Sequence, residues 1–175
     1  QFIFGGALNF AQPLKVLSAG GGTGRGALMI AGQLRTLNVN SQVIDLDISR
    51  ASQAIAQRRA ERRAINNIQF VHGSLLDVAK LAPGPYNYVN CSGVLHRLAD
   101  PVAGLKALLS VLAPGGGNGI MIYGEYGRTG LYHLQRVLQL LDDGHDLEKR
   151  LAETRDLINS LPPNAWIRRN PVLGG

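Results

Sequence analysis

Five short runs of apolar and β-branched residues, separated by longer segments of helical period, restrict this chain more than any other feature. "LKVLSA" (Leu14 to Ala19), "QVIDL" (Gln42 to Leu46), "IQFV" (Ile68 to Val71), "YNYVNC" (Tyr86 to Cys91) and "GIMIYG" (Gly119 to Gly124) read as strands. Between them, residues 26–37, 50–65 and 101–112 carry apolar side chains at spacings of three and four, the mark of amphipathic helices. Asp100 before Pro101 is a good cap and first-turn pair for the last of these. Strands that alternate with helices of this length pair in parallel through right-handed crossovers, which puts helices on both sheet faces. The "APGGGNG" stretch, Ala113 to Gly119, reads as a turn that re-aims the chain into the fifth strand. Beyond it the pattern is helical: Leu131, Leu134, Leu138 and Leu141 share one face, and a second helix is expected from about Asp146 to Ser160, ended by "LPP".

With 175 residues, 45% of them hydrophobic and 17% charged, the chain buries one sizeable core. The expectation is therefore a single domain over 1–175, with its core in 14–124 and a helical extension over 129–160. A net charge of +6 permits an anionic partner without requiring one. Cys91 is the sole cysteine and cannot form an internal disulfide, and no stretch reads as a signal peptide or a membrane span. A cytoplasmic setting is expected. No set of histidines and cysteines has metal-ligand spacing, so no metal is expected. The sequence starts at Gln1 and stops at "NPVLGG", and so reads as a piece of a longer protein.

The run "VLSAGGGTGRGAL", Val16 to Leu28, joins the first strand to the first helix. In open parallel sheets ligands sit beyond the carboxyl ends of the strands, over such a loop. Two glycine registers compete. Gly22-x-Gly24-x-x-Ala27 satisfies a dinucleotide fingerprint, but it leaves Gly20 and Gly21 stranded between strand and helix. Gly20-x-Gly22-x-Gly24 starts directly at the strand's end. Asp47, closing "VIDLD", stands where a carboxylate takes both hydroxyls of a ribose, while Ser49 is the more natural cap for the helix that follows.

The first register resembles motif I of the class I S-adenosylmethionine-dependent methyltransferases. "YNYVNCSGVLHRLADPVAGLKALLSVLAPGGG" resembles that family's segment from strand four to strand five, and "FVHGSLLDV" its strand-three exit, so that the likeness covers residues 14–124. It implies a Rossmann-like fold, a mostly parallel sheet with helices on both faces followed by C-terminal helices. The family's sixth and seventh strands have no counterpart before Gly175, so the sheet is expected to be truncated at one edge. The likeness further implies S-adenosylmethionine held by Ala19, Gly20, Gly22, Gly24, Asp47, Ile48, Ser74, Leu75, Cys91, Ser92, Gly93 and His96. Many members carry an acid where Ser18 stands, another at Ser74 and an aspartate at Asn87, and Arg97 replaces a frequent second histidine.

Methyl transfer from a sulfonium is an in-line displacement in which positioning does most of the work. His96, Tyr123, Glu125 and Tyr126 follow strands four and five and are the expected acceptor-side groups, with His96 placed to take a proton. Packing is the alternative role for each. Cys91 reads as a buried strand residue, and Arg58, Arg59, Arg62 and Arg63 as a solvated helix face. The expected activity is methylation of a small molecule. Nucleic acid is not the expected acceptor, because the asparagine/aspartate-Pro-Pro-aromatic signature of amino-group nucleic-acid methylases does not follow strand four. An NAD(P)-dependent oxidoreductase using the second glycine register, and a non-catalytic S-adenosylmethionine-binding module, are the alternatives.

Overall fold

The structure, a computed structural model, describes residues 12–141, 144 and 146–169. The closing "NPVLGG" lies outside them. The chain forms two compact units, the first ending at Ile122 and the second beginning at Tyr123.

The first unit is a five-stranded parallel sheet of β1 (Leu14–Ala19), β2 (Ser41–Asp47), β3 (Ile68–His72), β4 (Tyr86–Ser92) and β5 (Leu112–Met121). The strand order is β3-β2-β1-β4-β5, so the chain winds outward from β1 and then crosses back to β4. That reversal opens a crevice at the carboxyl ends of β1 and β4. Helices α1 (Arg25–Thr36) and α2 (Arg50–Arg62) contribute Ala27, Leu28, Ala31 and Ala60 to a core with Val16 and Val43. On the opposite face, α3 (Val78–Leu81) and α4 (Pro101–Ser110) pack Val78 and Leu108 on Leu17, Ile44 and Val89. Neighbouring strand residues reach opposite cores because side chains alternate across a strand.

The caps follow the sequence. Asp100 accepts from the Ala103 amide at 2.9 Å and Ser49 from the Ser52 amide at 3.2 Å, each satisfying an amide the helix start leaves open. Buried Tyr86 donates its hydroxyl to the Ala82 carbonyl at 2.9 Å, and burial pushes its pKa up to about 12.

The fifth strand corrects the sequence reading. The glycine-rich segment expected as a turn lies within β5, which starts at Leu112 and stops at Met121, short of Gly124. The ladder absorbs it as a bulge, since Tyr86 faces Leu112 while Tyr88 already faces Gly117. Gly115, with φ +73°, sits in that bulge. Pairing with β4 thus overrides the local turn signal.

The second unit contains α5 (Thr129–Leu140), α6 (Leu147–Ser160) and the short α7 (Trp166–Arg169). Asp146 caps α6 through the Lys149 amide at 3.0 Å, as the sequence placed it. Among the described residues no helix is long and apolar enough to cross a membrane.

Candidate active site

At the crevice the ends of four strands enclose a cavity of about 440 Å³, within the range of ligand pockets. Gly20 and Gly22 line it after β1, Leu46, Asp47 and Ile48 at β2, and Gly73, Ser74 and Leu75 after β3. Ser92, Gly93, Val94, Arg97 and Leu98 close it after β4.

Its floor continues the sheet. The amides of Gly20, Gly73 and Gly93 donate to the carbonyls of Leu46, Asp47 and Met121, each on the adjacent strand, at 2.7, 2.9 and 2.9 Å. Gly20 adopts φ +74°, and a Cβ there would stand 2.4 Å from a methyl of Val94, so the loops after β1 and β4 touch only because position 20 is bare. At Gly21 the intruder is a carboxylate: a Cβ would lie 1.6 Å from Asp45 Oδ1. The glycine run thus starts where β1 stops, and close approach within the protein itself explains two of its members.

Asp47 is nearly buried and works in two directions. Its Oδ2 accepts from the Gly22 amide and its Oδ1 from the Ser49 amide, both at 2.7 Å, which ties the glycine loop and the start of α2 to the end of β2. A carboxylate offers about four acceptor sites, so lone pairs remain for a ligand's hydroxyls. Ser49 caps α2 as expected, but Asp47 shares the duty.

Of the donor-site residues expected from sequence, Gly20, Gly22, Asp47, Ile48, Ser74, Leu75, Ser92 and Gly93 all line this cavity. Four do not. Ala19 and Cys91 lie wholly in the core, and burial pushes the Cys91 thiol up to about 11, leaving it neutral. Gly24 is the left-handed cap of α1 against Ala56. His96 is half-buried in the 3-10 turn Leu95–Arg97, its ring nitrogens shut off from solvent, while the neighbours Val94, Arg97 and Leu98 face the cavity. A short helical turn after β4 brings residues three and four apart to one side, the spacing of Val94, Arg97 and Leu98. Tyr123, Glu125 and Tyr126 belong to the second unit. There the Arg128 guanidinium stacks 3.3 Å from the centre of the Tyr123 ring, and Tyr126 is largely exposed.

The arginine face of α2 is not uniform. Arg59 donates to both the carbonyl (3.0 Å) and the hydroxyl (2.9 Å) of Thr23, inside the glycine loop. Arg58, Arg62 and Arg63 are exposed. Arg59→Ala should therefore weaken binding at this loop several-fold, an exposed charged hydrogen bond being a modest contributor. Reversing the other three charges should leave that affinity unchanged when both variants are titrated by calorimetry.

A parallel sheet that winds both ways from its first strand, with a glycine loop, a strand-end carboxylate and a cavity at the switch point, is the doubly wound α/β architecture, whose ligands sit beyond the carboxyl ends of the strands. Residues 17–117 match the methyltransferase domain family. The chain belongs to that family, the class I S-adenosylmethionine-dependent methyltransferases. It is 39% identical over 171 residues to an uncharacterized protein of Synechococcus sp., covering 96% of this chain and 40% of that one. Over 117 residues it is 37% identical to the tRNA 5-carboxymethoxyuridine methyltransferase of Escherichia coli (strain K12), covering 66% of this chain and 42% of that one. The solved structure of PKMT2 from Rickettsia typhi in complex with AdoHcy shares the fold at a TM-score of 0.61 and 21% identity, over 92% of this chain and 30% of that one. The chain thus spans about two fifths of the length of these curated relatives.

Proposed function

We propose that this domain binds S-adenosylmethionine in the switch-point cavity and directs its methyl group to a small-molecule acceptor, at oxygen or carbon. One observation carries the reading: Asp47, at the end of β2 and on the cavity wall, holds the Gly22 amide, and a carboxylate with about four acceptor sites has capacity left for a ligand. Charge-assisted bonds from ribose hydroxyls suit that carboxylate. Leu75 and Ile48 would supply apolar walls for a flat ring, and Gly20 and Gly22, which line the cavity without side chains, would leave room for the rest of the donor. When bound, the donor supplies a methyl group on a positively charged sulfur. The protein's part is alignment, which contributes up to roughly 7–11 kcal/mol in well-oriented reactions. A single, buried cysteine fits a reducing, cytoplasmic setting.

His96, Tyr123, Glu125 and Tyr126 are the proposed acceptor-side residues. His96→Ala, Tyr123→Phe and Tyr126→Phe should each lower the single-turnover rate more than the donor affinity, the split expected of groups that act on the acceptor. Unchanged rates in all three variants would remove these residues from the proposal.

A second reading, an acceptor carried on RNA, is favoured by the 37% likeness to a tRNA methyltransferase and by the exposed Arg25, Arg35, Arg50, Arg58, Arg62 and Arg63 on and beside α1 and α2. Methyl transfer from labelled donor separates the two. Incorporation into unmodified tRNA, with none into small phenols, enols and carboxylic acids, would replace the small-molecule reading.

A further inference from the structure

Asp45 is fully buried in β2, two residues before Asp47 and on the same side of the strand. Neither of its carboxylate oxygens has a hydrogen-bond partner of good geometry. Its register partner on β1 is Ser18. Above it lies Gly21, where any side chain would collide with Oδ1. One stretch of backbone, Gly20 to Gly22, therefore separates this carboxylate from the cavity that Gly20 and Gly22 line.

The surroundings leave its charge uncompensated. β1 presents Ser18. β3 presents Phe70 in register, with His72 beside Asp47 and bonded to the Ile48 carbonyl. α2 presents Gln53, whose Nε2 donates to the main-chain carbonyl of Asp45, and Arg59, which is bound to Thr23. α1 has Arg25 in its first turn, exposed, and no acid there. Asp47 adds a second negative charge. Desolvation raises the Asp45 pKa to about 6; the nearby Ser18 hydroxyl opposes the rise and Asp47 adds to it. An apolar residue would fill this place at less cost to the fold.

We propose that Asp45 is a positioning and charge-selecting residue of the donor site: from beneath Gly21 its carboxylate supports the glycine loop and favours a cationic sulfonium ligand over the neutral thioether left after methyl loss. The inference rests on the donor reading above. It also accounts for the bare position 21, which admits the carboxylate. Near neutral pH the group is mostly ionised. At lower pH, cationic donor binding expels its proton to solvent, and donor affinity falls relative to product affinity.

Calorimetric titration of the chain with S-adenosylmethionine and S-adenosylhomocysteine from pH 5 to 8 tests this. The donor-to-product affinity ratio should rise roughly tenfold across that range, on the scale of two charges interacting through a protein interior. Asp45→Asn should abolish the rise. Moving the carboxylate across the strand pair, with Ser18→Asp and Asp45→Ser together, should restore the high ratio at pH 8, and this variant keeps the test open if Asp45→Asn misfolds. Gly21→Ala should be tolerated with Asp45→Ser and disruptive alone. If the wild type binds both ligands but its ratio is flat with pH, or if Asp45→Asn keeps the rise, the inference is overturned and the donor reading stands. If the wild type binds neither ligand, both fail.

Discussion

Asp47→Ala should lower affinity for S-adenosylmethionine by roughly ten- to 150-fold, the equivalent of about 1.5–3 kcal/mol for lost charge-assisted hydrogen bonds. The structure adds a second part to that result. Both carboxylate oxygens already hold backbone amides, so alanine also frees Gly22 and Ser49, and the loop loses its tie to β2. The variant should therefore unfold at a lower temperature even without ligand. Asp47→Asn should lose less stability than alanine, because its amide oxygen still accepts from one of those amides, while its NH2 group faces the other and the negative charge is gone. A loss of donor affinity in Asn as large as in Ala, joined to a smaller drop in thermal stability, would mark the charge as the binding element. NAD should bind negligibly to the wild type, and tight NAD binding with none of S-adenosylmethionine would overturn the assignment of this cavity.

The second large effect is on stability, and it runs against the usual behaviour of carboxylates. Asp45 has its pKa raised from 3.8 to about 6 in the folded chain, first by desolvation. A group that binds its proton more tightly when folded stabilises the fold fully below pH 3.8, and that contribution is lost as pH climbs through 6. The displacement corresponds to about 3 kcal/mol, taking 1.36 kcal/mol per unit. Asp45→Asn should accordingly be more stable than wild type at pH 8 by up to about 3 kcal/mol, with the gain vanishing near pH 4. Denaturant unfolding of the two proteins at several pH values measures the difference directly, and other carboxylates cancel in the comparison. A gain in stability joined to a loss of donor selectivity is the pattern of a residue kept for function. An equal stability difference at every pH would assign Asp45 to packing alone.

Much of this was legible in the sequence, for local reasons. β1 and β2 announce themselves as largely apolar runs because strands covered on both faces need little polar alternation, and Ser49 and Asp100 mark helix starts by chemistry that acts within three residues. Most of the cavity wall was legible for the same reason, since strand-end glycines and a strand-end acid sit at fixed offsets from those runs. What escaped depends on partners distant in sequence. The β5 bulge exists because β4 supplies the ladder, which no property of "APGGGNG" reveals. Asp45 looks like an ordinary polar residue in "VIDLD" until Gly21 is found on top of it. Arg59 differs from its three basic neighbours only because α2 carries it to Thr23.

The amides of Gly20, Gly73 and Gly93, bonded across to neighbouring strands, have a consequence for how the cavity behaves in time. Loops that bind ligands often open on their own, at a small fraction of the free energy of global unfolding. Here the cavity floor continues the ladder at the strand ends, at Leu46 and Asp47 of β2 and Met121 of β5, so opening it means fraying those ends as well. The cavity is therefore built before any ligand arrives. Little ordering entropy is charged to binding, and affinity reports the contacts themselves.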